Sequence, residues 1–195
     1  MLRKRKMATL IILSTTMLLT TSSANAVLVD SAAFFSGNGL PDSIINNCPY
    51  YEDQTAIDWG YSWYGSETRF RYDIIENADI DFYKATSKSE ARIRVYASDY
   101  GDRVGWWGHT EPHAQDGSSR TEYDAWYYVD ILYNDGKMDR ENFSSANRLY
   151  NTLHEWGHAL SLAHQTDDAI SVMTQGQGTL TEPAFLDKSN LAYMY

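Results

Sequence analysis

Apolar and polar residues along the chain follow two periods, which predict both strands and helices. Residues 91–96 alternate between apolar and charged side chains, as in a strand with one buried face. Residues 125–133 are rich in aromatic and β-branched side chains and end at Asn-Asp-Gly, residues 134–136, which is a turn signal. Residues 69–75 and 79–83 are interpreted as further strand segments that precede these two.

Helical spacing occurs in three places. Residues 53–63 carry apolar side chains on one helical face and predict a first helix. Residues 146–160 repeat apolar side chains at steps of three and four residues, with Ser144 or Ser145 available to cap the start. Residues 183–195 predict a short terminal helix. The mixture of strands and helices predicts an α+β fold.

The longest predicted helix carries the candidate chemistry. His154 and His158 are four residues apart, so they lie one turn above the other on one face, about 6 Å apart between Cβ atoms. Glu155 follows directly and can reach a water in an open coordination position. A continuing helix would turn His164 away, so the chain must bend after about Ser161 to return it as a third ligand. Three protein ligands and one open position are the catalytic arrangement of zinc.

Chance is a poor explanation of this spacing. With 5 His in 195 residues, H-E-x-x-H arises by chance in roughly one such sequence in two hundred, and adding His164 lowers this to on the order of one in ten thousand. Gly157 lies within the same helix, where glycine costs about 1 kcal/mol relative to alanine. Its presence predicts that another segment approaches closely beneath the histidines.

At these residues the chain resembles the metzincin metallopeptidases, most closely the matrixin-like proteases secreted by bacteria. Their pattern is H-E-x-x-H-x-x-G-x-x-H followed by a methionine turn, and the later Ser-Val-Met-Thr-Gln-Gly looks like that turn. The resemblance implies one catalytic zinc on His154, His158 and His164. It also implies that Glu155 is the catalytic general base and that Met173 forms an apolar floor beneath the metal.

Two positions depart from the family pattern. Ser161 stands where the family usually has glycine, so the bend after the helix is expected to carry about 1 kcal/mol of backbone strain. Gln175 stands where astacin-like and serralysin-like members carry a tyrosine, so the resemblance does not support a fourth, tyrosine ligand.

A tryptophan-rich segment precedes the last predicted strand. In matrixins the corresponding segment is the edge strand of the sheet, which pairs with an extended substrate. The resemblance therefore implies that four residues contact the substrate: Trp106, Trp107, Gly108 and His109. The alternative is that the tryptophans pack in the core or against a loop. His109 and His113 raise the possibility of a second, structural zinc, although no third and fourth ligand are evident.

The first 26 residues have the features of a secretory signal peptide. A basic start at residues 3–6 precedes an apolar middle and an Ala-Asn-Ala cleavage signal at residues 24–26. The apolar run is shorter than the about 20 residues of a membrane span, and no second run occurs. Because no linker or repeat divides residues 27–195, we expect one domain. The signal peptide predicts that this domain is secreted and extracellular.

The mature chain is strongly acidic. Four of the 16 Lys and Arg residues lie in the signal peptide, which leaves 12 against 26 Asp and Glu and a formal charge of −14. Such a surface disfavours nucleic acid and anionic membranes. Such a surface also offers carboxylates for Ca²⁺, but in an acidic secreted protein the charge more often serves only solubility.

Cys48 is the single cysteine, so an internal disulfide is excluded. Its surroundings, Asn-Asn-Cys-Pro-Tyr, lack the pattern of the matrixin cysteine switch, in which a propeptide thiolate occupies the zinc. A free, buried or partly exposed thiol is the other interpretation.

We therefore predict a metzincin-like catalytic domain with a twisted mixed sheet, a zinc-binding active-site helix and a C-terminal helix. The predicted function is that of a monomeric, secreted zinc endopeptidase, in which zinc-bound water attacks a peptide or protein substrate. The spacing alone supports zinc hydrolysis, whereas peptide as the substrate rests on the resemblance. Two alternatives are a thermolysin-like site with Glu182 as third ligand and a secreted zinc-containing binding or toxin-like module with little proteolytic activity.

Overall fold

A computed structural model describes residues 33–35 and 39–195 of the chain. The predicted signal peptide, residues 1–26, lies outside the described residues. In this part of the chain, helices pack on a mixed sheet, which confirms the α+β class. None of the described helices combines the length and the apolar character that crossing a membrane requires.

The described residues form a five-stranded sheet in the order β2-β1-β3-β5-β4. Neighbouring strands are parallel except at one edge, where β4 runs antiparallel to β5. The predicted mixed sheet and its two principal strands are therefore confirmed, with ends shifted by a few residues. The strands are β1 Cys48–Glu52, β2 Phe82–Lys84, β3 Ile93–Ser98, β4 Gly108–His113 and β5 Tyr128–Asn134.

Six α-helices accompany this sheet in the described part of the chain. Both the long helix and the terminal helix predicted from the sequence are present. A short 3-10 helix, Asp102–Val104, precedes β4. The α-helices are α1 Asp42–Ile45, α2 Gln54–Asp58, α3 Tyr61–Asp73, α4 Asp135–Arg140, α5 Ser145–Ala159 and α6 Phe185–Met194.

The region between β1 and β2 differs from the prediction. The single helix expected over residues 53–63 is two helices, because Gly60 adopts a left-handed conformation with φ of 79° between α2 and α3. The strand expected at residues 69–75 is wrong, since most of that segment is the end of α3. Phe70 and Ile74 are exposed there although they are apolar, which hides the helical period and imitates the alternation of a strand.

The turn predicted after β5 is also wrong. The Asn134 side chain accepts a hydrogen bond from the Lys137 N–H at 3.3 Å and so caps the start of α4. Asparagine favours both turns and helix N-caps, so the sequence alone did not distinguish a turn from the start of a helix.

The core lies between the apolar face of the sheet and the helices α3 and α5. Along β3 and β5, alternate side chains such as Val95, Ile131 and Tyr133 are fully or almost fully buried, while the residues between them are half-buried. The Tyr72 hydroxyl of α3 donates to the Leu153 carbonyl of α5 at 2.7 Å. This bond links α3 to α5, and α5 in turn lies against β4 and β5.

Candidate metal centre

Helix α5 begins at a reciprocal cap. Its first turn is held because the Ser144 hydroxyl accepts from the Asn147 N–H, while the Asn147 carboxamide oxygen accepts from the Ser144 N–H at 2.9 Å. The Asn147 amide also donates to the Gly178 carbonyl at 2.8 Å. The predicted cap at Ser144 is confirmed, and the two histidines of α5 lie in its last two turns.

The chain reverses immediately after α5. The Leu162 N–H donates to the Gly157 carbonyl at 2.9 Å and the Ser161 N–H to the His158 carbonyl at 2.8 Å, which is a Schellman motif. Ser161 occupies the position at which glycine is usual, with φ of 67°. The bend predicted at this residue is therefore present, and it returns His164 to the histidine face of the helix.

Three imidazole nitrogens converge at this bend. The Nε2 atoms of His154, His158 and His164 lie 3.0 to 3.2 Å from one another. The Nδ1 atom of His154 donates to the Val172 carbonyl at 2.7 Å, and that of His158 donates to the Leu162 carbonyl at 2.8 Å. Because a carbonyl can only accept, these bonds place the proton on Nδ1 and leave Nε2 with a free lone pair.

This donor set fits a zinc ion. Two ligands of a tetrahedral zinc at about 2.0–2.1 Å are separated by about 3.3 Å, close to the Nε2 separations observed. Burial lowers the pKa of His154 to about 4 and that of His158 well below its usual value, so both rings are neutral at pH 7. Neutral imidazole is the form that binds metal.

The third ligand expected from the sequence, His164, belongs to this group, whereas Glu182 does not. Glu182 instead forms an exposed ion pair with Lys188 at 3.2 Å, so the geometry gives no support to the thermolysin-like alternative. Elsewhere in the described residues, no second group of three histidine, cysteine or carboxylate ligand atoms comes together. No second cluster of this kind therefore supports a structural zinc among the described residues.

Met173 lies directly beneath the histidine helix. It is fully buried, and a Cβ added to Gly157 would lie 2.4 Å from the Met173 sulfur. The close approach predicted at Gly157 is thus present, and Met173 is the residue that makes it. Met173 thus packs against α5 at the residue before His158, as a polarizable and apolar side chain without a charged group.

The methionine turn is held by a buried carboxylate that the sequence did not reveal. Asp187 of α6 is 1% exposed and accepts hydrogen bonds from the Ser171 hydroxyl, from the Val172 N–H at 2.9 Å and from the Ala184 N–H at 2.8 Å. The Val172 carbonyl in turn accepts from His154. Asp187 therefore fixes the backbone that orients a candidate ligand.

Glu155 projects toward β4 from the same turn of α5. Its carboxylate oxygen Oε2 accepts from the Thr110 hydroxyl at 2.8 Å. Burial raises the pKa of Glu155 to about 8, although the Thr110 hydrogen bond opposes the shift. A Cβ on Gly108 would lie 2.5 Å from the other oxygen, Oε1, so only glycine permits this approach of β4 to α5. Thr110 carried no sequence signal, because its role depends on this tertiary contact.

A cavity of about 690 Å³ lies above the histidines and Glu155. The four predicted substrate contacts all line it: Trp106, Trp107, Gly108 and His109. Trp106 stacks on His109, with ring centroids 5.6 Å apart. Trp107 also packs on Phe143 and donates to Glu141 at 2.6 Å, so it has a structural role as well.

His113 and Cys48 lie outside the candidate site. His113 stacks on Tyr128 and lies 3.5 Å from an Asp130 oxygen, and it forms no ligand group with His109. Cys48 is fully buried in β1, and burial raises the pKa of its thiol to about 12. Of the two interpretations of Cys48, the structure agrees with the buried free thiol.

Comparison with known proteins adds little to this geometry. No protein family and no curated protein matches the sequence. Among solved structures, myroilysin has 14% identity and a TM-score of 0.47, and covers 83% of this chain and 97% of its own. The GM1-bound form of the ECX AB5 holotoxin has 14% identity and a TM-score of 0.48, with 83% and 86% covered. At such low similarity neither structure bears on activity.

Proposed function

We propose that this protein is a secreted, zinc-dependent endopeptidase with a metzincin-like catalytic domain of the matrixin type. The observation that carries the proposal is the convergence of three imidazole Nε2 atoms and one buried carboxylate in a single cavity. His154, His158 and His164 would hold the zinc ion, and Glu155 is positioned beside it as the proton acceptor.

Zinc held by the three histidines would supply Lewis acidity, which would lower the pKa of water and stabilise charge on the substrate carbonyl oxygen. Glu155 accepts the proton of the attacking water and then donates it to the departing amine. Its pKa, raised to about 8 by burial, lies in the range in which one carboxyl group can do both near neutral pH. A neighbouring cation lowers that pKa and favours the ionised base.

Thr110 orients this carboxylate. Its hydroxyl donates to Oε2 of Glu155 at 2.8 Å and also lies 3.0 Å from the Glu155 carbonyl oxygen. Because Oε2 already accepts from Thr110, Oε1 is the oxygen left to receive the proton. Thr110 is therefore a positioning residue, which acts on the reaction through Glu155.

A peptide substrate is supported by the position of β4. This strand forms the edge of the sheet, and residues 108–112 line the cavity beside the candidate metal site. Edge strands bind extended peptides through main-chain hydrogen bonds. Secretion to the extracellular space is supported by the signal peptide predicted at residues 1–26. A monomer of one domain belongs to the same proposal.

A secreted module that keeps zinc but only binds a partner is the alternative function. Such a module has no need of a general base beside its metal. The burial of Glu155 and its hydrogen bond from Thr110 favour the enzyme, because both adjust the carboxyl group for proton transfer.

The test is a cleavage profile of the zinc-loaded mature protein on a diverse peptide library, read by mass spectrometry. We expect defined internal cleavage sites, loss of all cleavage after chelation, and recovery when zinc is returned. Protein that holds one zinc per chain and cleaves no peptide in the library would move the binding module ahead of the peptidase.

A further inference from the structure

Strand β4 turns its main-chain groups alternately toward β5 and toward its open edge. The Trp107 carbonyl accepts from Asn134 at 2.7 Å, and the His113 carbonyl accepts from Tyr127 at 2.8 Å. The odd-numbered positions of β4 therefore face β5. Because the direction alternates along a strand, the N–H and C=O groups of even-numbered positions face outward.

Part of this outer edge is already occupied by the protein's own chain. After β4 the chain turns back, and residues 118–120, here called the arm, lie along the end of the strand. The Arg120 N–H donates to the Pro112 carbonyl at 2.8 Å, and the Ala114 N–H donates to the Ser118 carbonyl at 2.8 Å. The Ser119 hydroxyl also donates to the Glu111 carboxylate at 3.0 Å. The arm lines the cavity at this end.

The rest of the edge is open toward the cavity. In the described part of the chain, no main-chain bond of this kind engages the outward groups of Gly108 or Thr110. Both residues adjoin Glu155: Gly108 through the close approach of Oε1, and Thr110 through its hydroxyl. The open stretch therefore begins beside the candidate catalytic carboxylate and ends at the arm.

We propose that the arm is the end wall of the substrate groove and limits main-chain pairing to three peptide residues on the amino side of the cleaved bond. The inference rests on the proposed function. Antiparallel pairing is the more stable arrangement per residue, and it directs the amino end of the peptide toward the arm. Counted from the cleaved bond toward the amino end, the first three peptide residues lie opposite Gly108, His109 and Thr110 and fit. The fifth residue lies opposite Pro112, whose carbonyl already accepts from the Arg120 N–H.

The wall predicts how catalytic efficiency depends on peptide length. The first and third residues pair with Gly108 and Thr110, while the second and fourth turn their main-chain groups away from β4. Adding the third residue makes two hydrogen bonds and should raise kcat/KM by about tenfold. Adding a fourth, fifth or sixth residue should change kcat/KM by less than about twofold, because the next outward carbonyl, that of Pro112, already accepts from Arg120.

The experiment uses acetylated peptides that share one cleaved bond and one carboxyl-side sequence, with one to six residues on the amino side. Acetylation removes the amino-terminal charge, which would otherwise interact with Glu111 and Glu122 of the cavity. For the zinc-loaded wild-type protein, kcat/KM should rise up to the third residue and then remain level. A steady rise through the fifth and sixth residues overturns the wall.

Two variants of Arg120 separate the main-chain bond from the side chain. Arg120→Pro removes the N–H that occupies the Pro112 carbonyl, whereas Arg120→Ala keeps it. In Arg120→Pro the ring Cδ takes the place of that hydrogen and separates the arm from the Pro112 carbonyl, so the fifth residue should gain about threefold in kcat/KM. In Arg120→Ala kcat/KM should still level off after the third residue. Equal profiles in folded samples of both variants contradict the assignment, and the wild-type series decides it alone if Arg120→Pro does not fold.

Failure of the wall is distinguishable from failure of the proposed function. If no peptide is cleaved at all, the peptidase is wrong, and the same peptides can be titrated against the protein as ligands. Affinity that increases to the third residue and stays level afterwards still supports the arm as the end of a peptide groove. Affinity that is independent of length removes the groove as well.

Discussion

Replacing Gly157 by alanine sets two effects of opposite sign against each other. Alanine in a helix interior is favoured over glycine by about 1 kcal/mol. The new methyl group, however, would lie 2.4 Å from the Met173 sulfur and 3.1 Å from the Tyr72 hydroxyl oxygen, both in the packed core. Overpacking of this kind typically costs about 1–3 kcal/mol. We therefore expect Gly157→Ala to lower the free energy of unfolding by about 1 kcal/mol.

The assay is a double-mutant cycle on zinc-loaded protein, measured by urea unfolding. Met173→Ala alone should cost about 2–5 kcal/mol because it leaves a cavity. In the double variant the methyl group introduced by Gly157→Ala meets no sulfur, so the helix gain is recovered and the two changes should couple favourably by about 1–2 kcal/mol. Gly157→Ala should also weaken zinc binding, since it displaces the floor beneath the imidazoles.

Two results would refute this reasoning. A Gly157→Ala protein that is more stable than wild type by about 1 kcal/mol would mean that helix propensity alone acts at this position. Coupling near zero in the double-mutant cycle would mean that Met173 does not contact Gly157. Either result removes Met173 as the floor of the candidate metal centre.

Three further predictions concern strain, titration and thiol reactivity. Ser161→Gly should stabilise the protein by up to about 1 kcal/mol because it relieves the backbone strain at φ of 67°. Ser161→Val should melt at a clearly lower temperature than wild type, and equal melting temperatures would exclude a strained bend. Burial lowers the folded-state pKa of His154 from 6.5 to about 4, so in metal-free protein its contribution of about 3 kcal/mol is complete above pH 6.5 and is lost as pH falls toward 4. Because the raised pKa of Glu155 acts in the opposite sense, the test compares wild type with His154→Gln in urea, and a stability difference between them that does not change over this pH range contradicts the prediction. Cys48, with its thiol pKa raised to about 12 by burial, should resist alkylation in native protein at pH 8 and react only after unfolding, as mass spectrometry would detect.

The candidate metal centre was largely predictable from the sequence because most of its information is local. The spacing of His154 and His158 follows from the helical repeat, and the return of His164 requires a bend at a nearby residue. The left-handed conformation of Ser161 supplies that bend. Local geometry of this kind is readable without knowing how distant segments pack.

Other residues of the site were not predictable, since their roles arise from contacts between segments far apart in sequence. Thr110 meets Glu155 across 45 residues, and Asp187 meets Ser171 across 16. The end of α3 was mistaken for a strand because Phe70 is apolar and yet exposed. In each case tertiary packing decided what the local pattern left open.

The most direct test of zinc peptidase activity compares wild type with Glu155→Gln at equal zinc content. In this account Glu155 is not a metal ligand, so the variant should keep one zinc per chain and nearly the wild-type melting temperature. Removal of the general base should lower the rate of peptide hydrolysis by about 10²–10⁴-fold or more. A Glu155→Gln protein that binds zinc fully and cleaves as fast as wild type would contradict the proposed mechanism.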